Sequence, residues 1–160
     1  MSRGLLSPWL TVRCQFVLAA FFVVAGIAKV VDPPGFAHEI HNYELVPGRL
    51  INAMALALPW LEILAGVALF LGIATRTATR ILAVLLLVFV AALSINLARG
   101  KPVDCGCFGA NAGAVPKTPP ERLFDMKLAI ARDFGLLLLA AQILAAARAQ
   151  VRWPLDARRG

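Results

Sequence analysis

Four apolar stretches dictate what this chain can fold into. They cover about 11–31, 50–72, 81–97 and 128–149. Each approaches the roughly 20 residues that carry a helix across a bilayer. In lipid every backbone N–H and C=O must be paired inside the chain, and consecutive helices satisfy that requirement segment by segment. The expected fold is therefore all-α: a polytopic membrane protein, a bundle of four transmembrane helices. It forms a single membrane domain over 11–149, with basic tails at 1–10 and 150–160.

The first stretch has a rival reading. Its uninterrupted part, Cys14 to Ala28, has the length of a signal-peptide core, and Gly26-Ile27-Ala28 resembles a small-residue cleavage site. Three further spans favour a retained helix. Cys14, near its start, reads as a small packing residue. The fourth stretch is the weakest. The run 134–147 is short, and extending it back to Leu128 takes in Arg132-Asp133. Adjacent opposite charges are tolerable there if they pair or snorkel.

Composition decides between partners. The chain is 60% hydrophobic and 16% charged, against about 45–50% and about 25% in soluble domains. Its net charge of +7 does not point to nucleic acid, because the sixteen Lys and Arg are strung between apolar segments. They read as topology signals and as contacts to lipid headgroups.

Between the first two spans, Asp32 is an expected N-cap and Pro33 an expected first helical residue. Phe36, Ile40 and Tyr43 then recur at helical spacing, while His38, Glu39 and His41 turn elsewhere. This predicts a short amphipathic surface helix lying on the membrane, ended by Pro47-Gly48. His38 and His41 lack a third ligand nearby, so no metal is expected.

In the second span Pro59 should kink the helix. Glu62 falls near mid-span, where a carboxylate must face the bundle interior or be protonated. It either fixes packing by an interhelical hydrogen bond or serves a proton relay or a quinone. Trp60 and Gly66 fit helix contacts. Thr75 to Arg80 reads as a short basic turn before the third span. Pro119-Pro120-Glu121 reads as the start of a separate short helix. Trp153 in the tail is a candidate interfacial anchor.

One run looks built for chemistry: Asp104-Cys105-Gly106-Cys107-Phe108-Gly109. A disulfide across a single glycine closes a small ring. Gly106 permits the dihedrals such a ring needs. Strained disulfides are the more easily reduced ones. The run thus supports thiol–disulfide exchange, with a free-thiol turn or a static clip as alternatives. Arg99 and Lys101 would favour a thiolate and Asp104 oppose it, so Cys107, further from Asp104, is the expected exchanging sulfur. Two thiolates can also hold Cu(I), but no Met cluster lies nearby.

Basic residues divide evenly between the two sides of a four-span layout, eight against eight. The Arg76/Arg80 connection is the shorter loop, and positive charge in short loops weighs most. Both termini are accordingly expected in the cytoplasm and the cysteine run outside, where disulfides persist.

The motifs also carry a resemblance. Lys29-Val30-Val31-Asp32-Pro33, Phe36-Ala37, Tyr43 with Leu45 and Pro47, Pro59-Trp60-Leu61-Glu62 with Gly66 and Gly72, Arg99-Gly100 and the Asp104 to Gly109 run resemble the methylamine utilisation protein MauE family, among the DoxX-like four-helix membrane proteins. The resemblance covers Thr11 to Gly109 well and the last span loosely. It implies a bacterial inner-membrane protein paired with a thioredoxin-like periplasmic partner. The implied role is maturation of a disulfide-rich client, of the type of the methylamine dehydrogenase small subunit. Two alternatives stand beside it: a quinone-linked oxidoreductase subunit of the DoxX type, and a non-catalytic membrane scaffold or transport factor.

Overall fold

The structure, a computed structural model, describes residues 8–101, 103 and 118–156, with side chains over 9–101, 103 and 118–149. It holds five helices: α1 (Pro8–Val31), α2 (Pro33–Asn42), α3 (Gly48–Phe70), α4 (Thr75–Ala98) and α5 (Pro119–Asp156). No strand occurs among the described residues. Helices α1, α3, α4 and α5 are long and apolar enough to cross a membrane. They alternate in direction and close into a ring in which α1 packs on α3 and α5, and α4 on α3 and α5.

Between lipid-facing helices there is little hydrophobic driving force, so close packing and polar contacts must hold the ring together. The α1–α3 seam shows the first. A Cβ added to Gly26 would stand 2.9 Å from the Pro59 carbonyl oxygen, and one on Gly66 would stand 2.9 Å from Val23 Cγ2. The two glycines let the backbones meet, as the sequence suggested for Gly66. Large side chains point outward instead, among them Val24, Ile27, Leu56, Leu64, Val84 and Leu138. Trp60 joins them at 54% exposure, correcting its expected role in helix contacts. Inside lies one main core, with Leu18, Phe22, Leu69, Leu82, Leu86 and Ile143. Cys14 is part of it, as a packing residue.

The turn chemistry explains the helix ends. After α3, Gly72 (φ +72°) takes the left-handed conformation, its N–H bonding the Leu69 carbonyl while that of Ile73 bonds Ala68. After α4, Gly100 (φ +67°) repeats the motif, with Gly100 on Leu97 and Lys101 on Asn96. Both are Schellman closures, for which glycine is the residue without a steric penalty. The α3–α4 turn therefore lies over 71–74, and the expected basic turn Thr75 to Arg80 is the first part of α4. Its length is set by where glycine stops the preceding helix.

The last span also differs from expectation. Pro119 and Pro120 begin α5 itself, which runs unbroken for 38 residues. The Glu121 carboxylate accepts from both the backbone N–H and the hydroxyl of Thr118, at 2.8 Å each, a capping-box arrangement. At 1.5 Å per residue, α5 is about 57 Å long and outreaches an apolar layer of about 30 Å. Residues 150–156, expected as tail, are its last turns. Arg132 and Asp133 are tolerated within it because they pair, at 2.7 Å, with the Arg132 guanidinium lying over the Phe21 ring.

Helix α2 forms as its cap predicts, Asp32 Oδ1 accepting from the Gly35 N–H at 3.0 Å. Its apolar side is used within the chain: Phe36 and Ile40 bury against Ile51 and Ala55 of α3. His38 and His41 face outward, and among the described residues no cluster of metal-binding side chains occurs.

Candidate functional site

The residues singled out for chemistry, Asp104, Cys105, Gly106, Cys107, Phe108 and Gly109, lie outside the described residues, as does the side chain of Trp153. What the structure supplies is the frame from which that run departs. Val103, one residue ahead of it, is buried among Leu93, Met126 and Ala129, where α4 ends and α5 begins. Asn96, fully buried in the last turns of α4, donates to the Tyr43 carbonyl at 3.3 Å and to Ala92 at 3.1 Å. The end of α4 is thereby tied to the segment that follows α2.

A second tie runs alongside. Lys101 forms an exposed ion pair with Glu44. The hydrogen bond from Lys101, reinforced by its charge, holds the Glu44 carboxyl below the usual carboxylate range. Glu44 sits at φ +50°, just past the end of α2, where glycine is the common residue. A non-glycine residue persists there only when its surroundings hold it. Lys101 is accordingly engaged, which weakens its expected help to a thiolate. Arg99 is exposed at the helix end.

The second feature is internal. Lys29, near the end of α1, is 3% exposed, and its Nζ donates to both carboxylate oxygens of Glu62 on α3, at 2.6 and 2.8 Å. The rings of Phe36 and Phe89 approach the same ammonium, with centroids at 5.0 and 4.8 Å. An ammonium in a dry interior needs such a setting: two charge-assisted hydrogen bonds and aromatic faces for its remaining surface. Glu62 thus faces the bundle interior, as mid-span burial demands. Its hydrogen-bonded partner, Lys29, lies at the far end of span one, where a cation also reads as a topology charge. A usable signal existed: Glu62 is the single charged residue of span two, and Lys29 is the cation at the end of span one that precedes it.

Beyond Phe36 and Phe89 lies a cavity of about 160 Å³ between α2, α3 and α4. Tyr43, Met54, Leu58 and Leu85 contribute apolar walls and Glu39 a carboxylate. The Glu62 carboxylate, one of whose expected roles was to serve a quinone, is engaged by Lys29, and Gly26 of α1 closes on the Pro59 carbonyl beside it. Any apolar guest would sit on the Leu58 side instead.

Comparison with known proteins places this architecture. The family described as "Methylamine utilisation protein MauE" matches residues 7–146, which extends the likeness well into α5. The methylamine utilization protein MauE of Paracoccus denitrificans is 35% identical over 109 residues, covering 68% of this chain and 59% of that protein. That of Methylorubrum extorquens is 30% identical over 159 residues, covering 84% and 85%. For Methylophilus methylotrophus the figures are 32% over 101 residues, 62% and 53%. The match thus spans little more than half the length of two of these relatives. No solved structure matches the chain. By the family match across most of its length and by its shared identity with these relatives, the chain belongs to the methylamine utilisation protein MauE family.

Proposed function

We propose that this protein is an inner-membrane maturation factor that exchanges disulfides through Cys105 and Cys107 at the extracytoplasmic surface. The relatives' names point to methylamine utilisation. The proposed client is a periplasmic protein rich in disulfides, with a thioredoxin-like periplasmic protein as redox partner. A client thiolate attacks one sulfur of the Cys105–Cys107 bond, which breaks and leaves the other sulfur as a thiolate. A second client thiolate then displaces the mixed disulfide. Two electrons pass from the client to the pair, which ends as a dithiol, and the thioredoxin-like partner's disulfide restores it. The same steps run backwards when the client must be reduced. Gly106 permits the ring, Asp104 and Arg99 bias the thiolate in opposite senses, and Phe108 and Gly109 offer the docking edge.

The observation that carries this reading is the rooting of the run: Val103 buried between α4 and α5, at the bundle end opposite Arg76. The engaged charges support the proposed orientation. Lys29 and Arg132 are engaged inside the bundle, so neither acts as a loop charge. Removing them from the tally breaks the tie and favours cytoplasmic termini.

The test is a pair of variants, Cys105→Ser and Cys107→Ser, read by mixed-disulfide trapping in cells. One should accumulate a covalent complex with partner or client and the other abolish it. Normal client maturation in both would end the exchange reading. A pair permanently closed in cells would instead favour a scaffold.

The apolar cavity beside Phe36 and Phe89 favours a second reading, a quinone-linked oxidoreductase subunit. Its walls suit an apolar ring, and a bound quinone would accept electrons from the thiols. Purified protein with no quinone and no thiol-dependent quinone reduction would exclude it.

A further inference from the structure

The bundle end remote from Val103 carries a charge pattern that the proposed exchange does not use. Arg13 on α1, Arg76 and Arg80 on α4 and Arg148 on α5 all stand there, exposed. The carboxylates whose side chains are described lie elsewhere. Asp32, Glu39, Glu44, Glu121 and Asp125 sit at the opposite end, and Glu62 and Asp133 are buried in ion pairs. Between α1, α4 and α5 at the arginine end opens a cavity of about 560 Å³. Its lining is mixed: Gln15, Thr75, Arg76 and Thr77 are polar, and Val12 and Ile143 are apolar.

Arg76 is held in place there. Its guanidinium donates to the Ala147 carbonyl of α5, and Gln15 Nε2 donates to the Leu69 carbonyl at 2.7 Å. Arg80 follows Arg76 by one helical turn on the same face of α4. Trp9, Leu10 and Phe16 on α1 are exposed apolar residues at this end, the Phe16 ring standing edge-on to Phe70 of α3, while Val12 lines the cavity itself. Trp9, 78% exposed, has the character of an interfacial aromatic anchor.

We propose that this wedge binds one anionic phospholipid, its phosphodiester held by Arg76 and Arg80 and its acyl chains lying along α1. The argument is charge complementarity at a defined depth. A basic cavity at the end of membrane-spanning helices, with no described carboxylate to neutralise it, meets the headgroup layer, where anionic lipid concentrates countercharge. The planar, forked guanidinium suits a phosphate diester, and Thr77 lines the wall beside it, while the Thr75 hydroxyl already donates to the Gly72 carbonyl.

The test uses the full-length protein in detergent, followed by native mass spectrometry and thermal unfolding. The probes are phosphatidylglycerol, phosphatidylcholine with the same chains, and inorganic phosphate. Phosphatidylglycerol should be retained and raise the unfolding temperature, with phosphatidylcholine and inorganic phosphate much weaker. Removing basic residues near a lipid surface weakens binding roughly fivefold each, so Arg76→Gln with Arg80→Gln should lose more than tenfold. Arg76→Lys with Arg80→Lys, which keeps the charge but loses the fork, should bind more weakly than the parent and more tightly than the double Gln variant, which separates charge loss from misfolding. Thr77→Trp, which fills the exposed mouth without changing charge, should abolish the preference, and Arg49→Gln at the other end should not. Equal retention of the two lipids, equal stabilisation by inorganic phosphate, or unchanged binding in the double Gln variant or in Thr77→Trp would each overturn the site.

Discussion

The ammonium of Lys29 spans both carboxylate oxygens of Glu62 across the α1–α3 seam, one turn from where Gly26 lets the two backbones touch. Charge pairing and close packing therefore reinforce each other at the same level of the bundle. Neither residue is tolerable alone in that interior, and the pair sits under two aromatic rings that also wall the neighbouring cavity.

Breaking the pair from one side should be worse than removing it. Glu62→Gln or Lys29→Met leaves an uncompensated buried charge or its strained neutral form, with an expected loss of about 3–5 kcal/mol. The double variant Lys29→Met, Glu62→Leu should recover much of that loss. Unfolding by detergent titration measures it, and additive losses in the double variant would contradict the coupling.

The seam glycines should rank by what they touch. Gly26→Ala drives a methyl group toward the Pro59 carbonyl oxygen at 2.9 Å, which cannot rotate away. Gly66→Ala meets the Val23 side chain at the same distance, with the Ala19 carbonyl at 3.2 Å. Overpacking of this kind costs about 1–3 kcal/mol, with Gly26 expected at the upper end. Gly135→Ala, with nothing within 4 Å, should be neutral or stabilise through helix propensity. The same unfolding titration orders the three.

The Glu44–Lys101 tie should respond to acid. The folded carboxyl titrates below its unfolded value, so the tie stabilises at pH above the unfolded value and is lost as pH falls through the folded one. A carboxyl-detected NMR titration should place the Glu44 midpoint below that of an unstructured peptide. In Lys101→Gln it should move back up. Because the partners are 50% and 58% exposed, raised salt should shrink the difference.

The three cysteines should separate by accessibility. Cys14 is 6% exposed inside the main core and should react with a maleimide only after unfolding. On the proposed orientation an impermeant maleimide added to intact, reductant-treated cells labels Cys105 and Cys107. Labelling of that pair only from the cytoplasmic side would invert the topology and end the proposed function. Cys14→Ala should leave client maturation unchanged.

Much of this molecule was legible from residue order alone, for a physical reason. A bilayer demands long, internally hydrogen-bonded apolar segments, and that demand is written locally, so four spans and the Asp32-capped helix between them could be read directly. Helix ends were less legible at α4 and α5. Their starts are set by Gly72, which ends α3, and by the Thr118–Glu121 box, which opens α5, and not by the charges at Arg76, Arg80 and Arg132. The fate of individual polar residues was illegible, because it depends on what the ring brings opposite. Sequence alone determined that the chain is a helical membrane bundle of a recognisable family and that Cys105 and Cys107 follow the third span. Only tertiary structure decided that Lys29 belongs to Glu62, that Trp60 faces outward and that Lys101 is already engaged by Glu44. Those outcomes turn on distances between segments far apart in the chain, which no local pattern encodes.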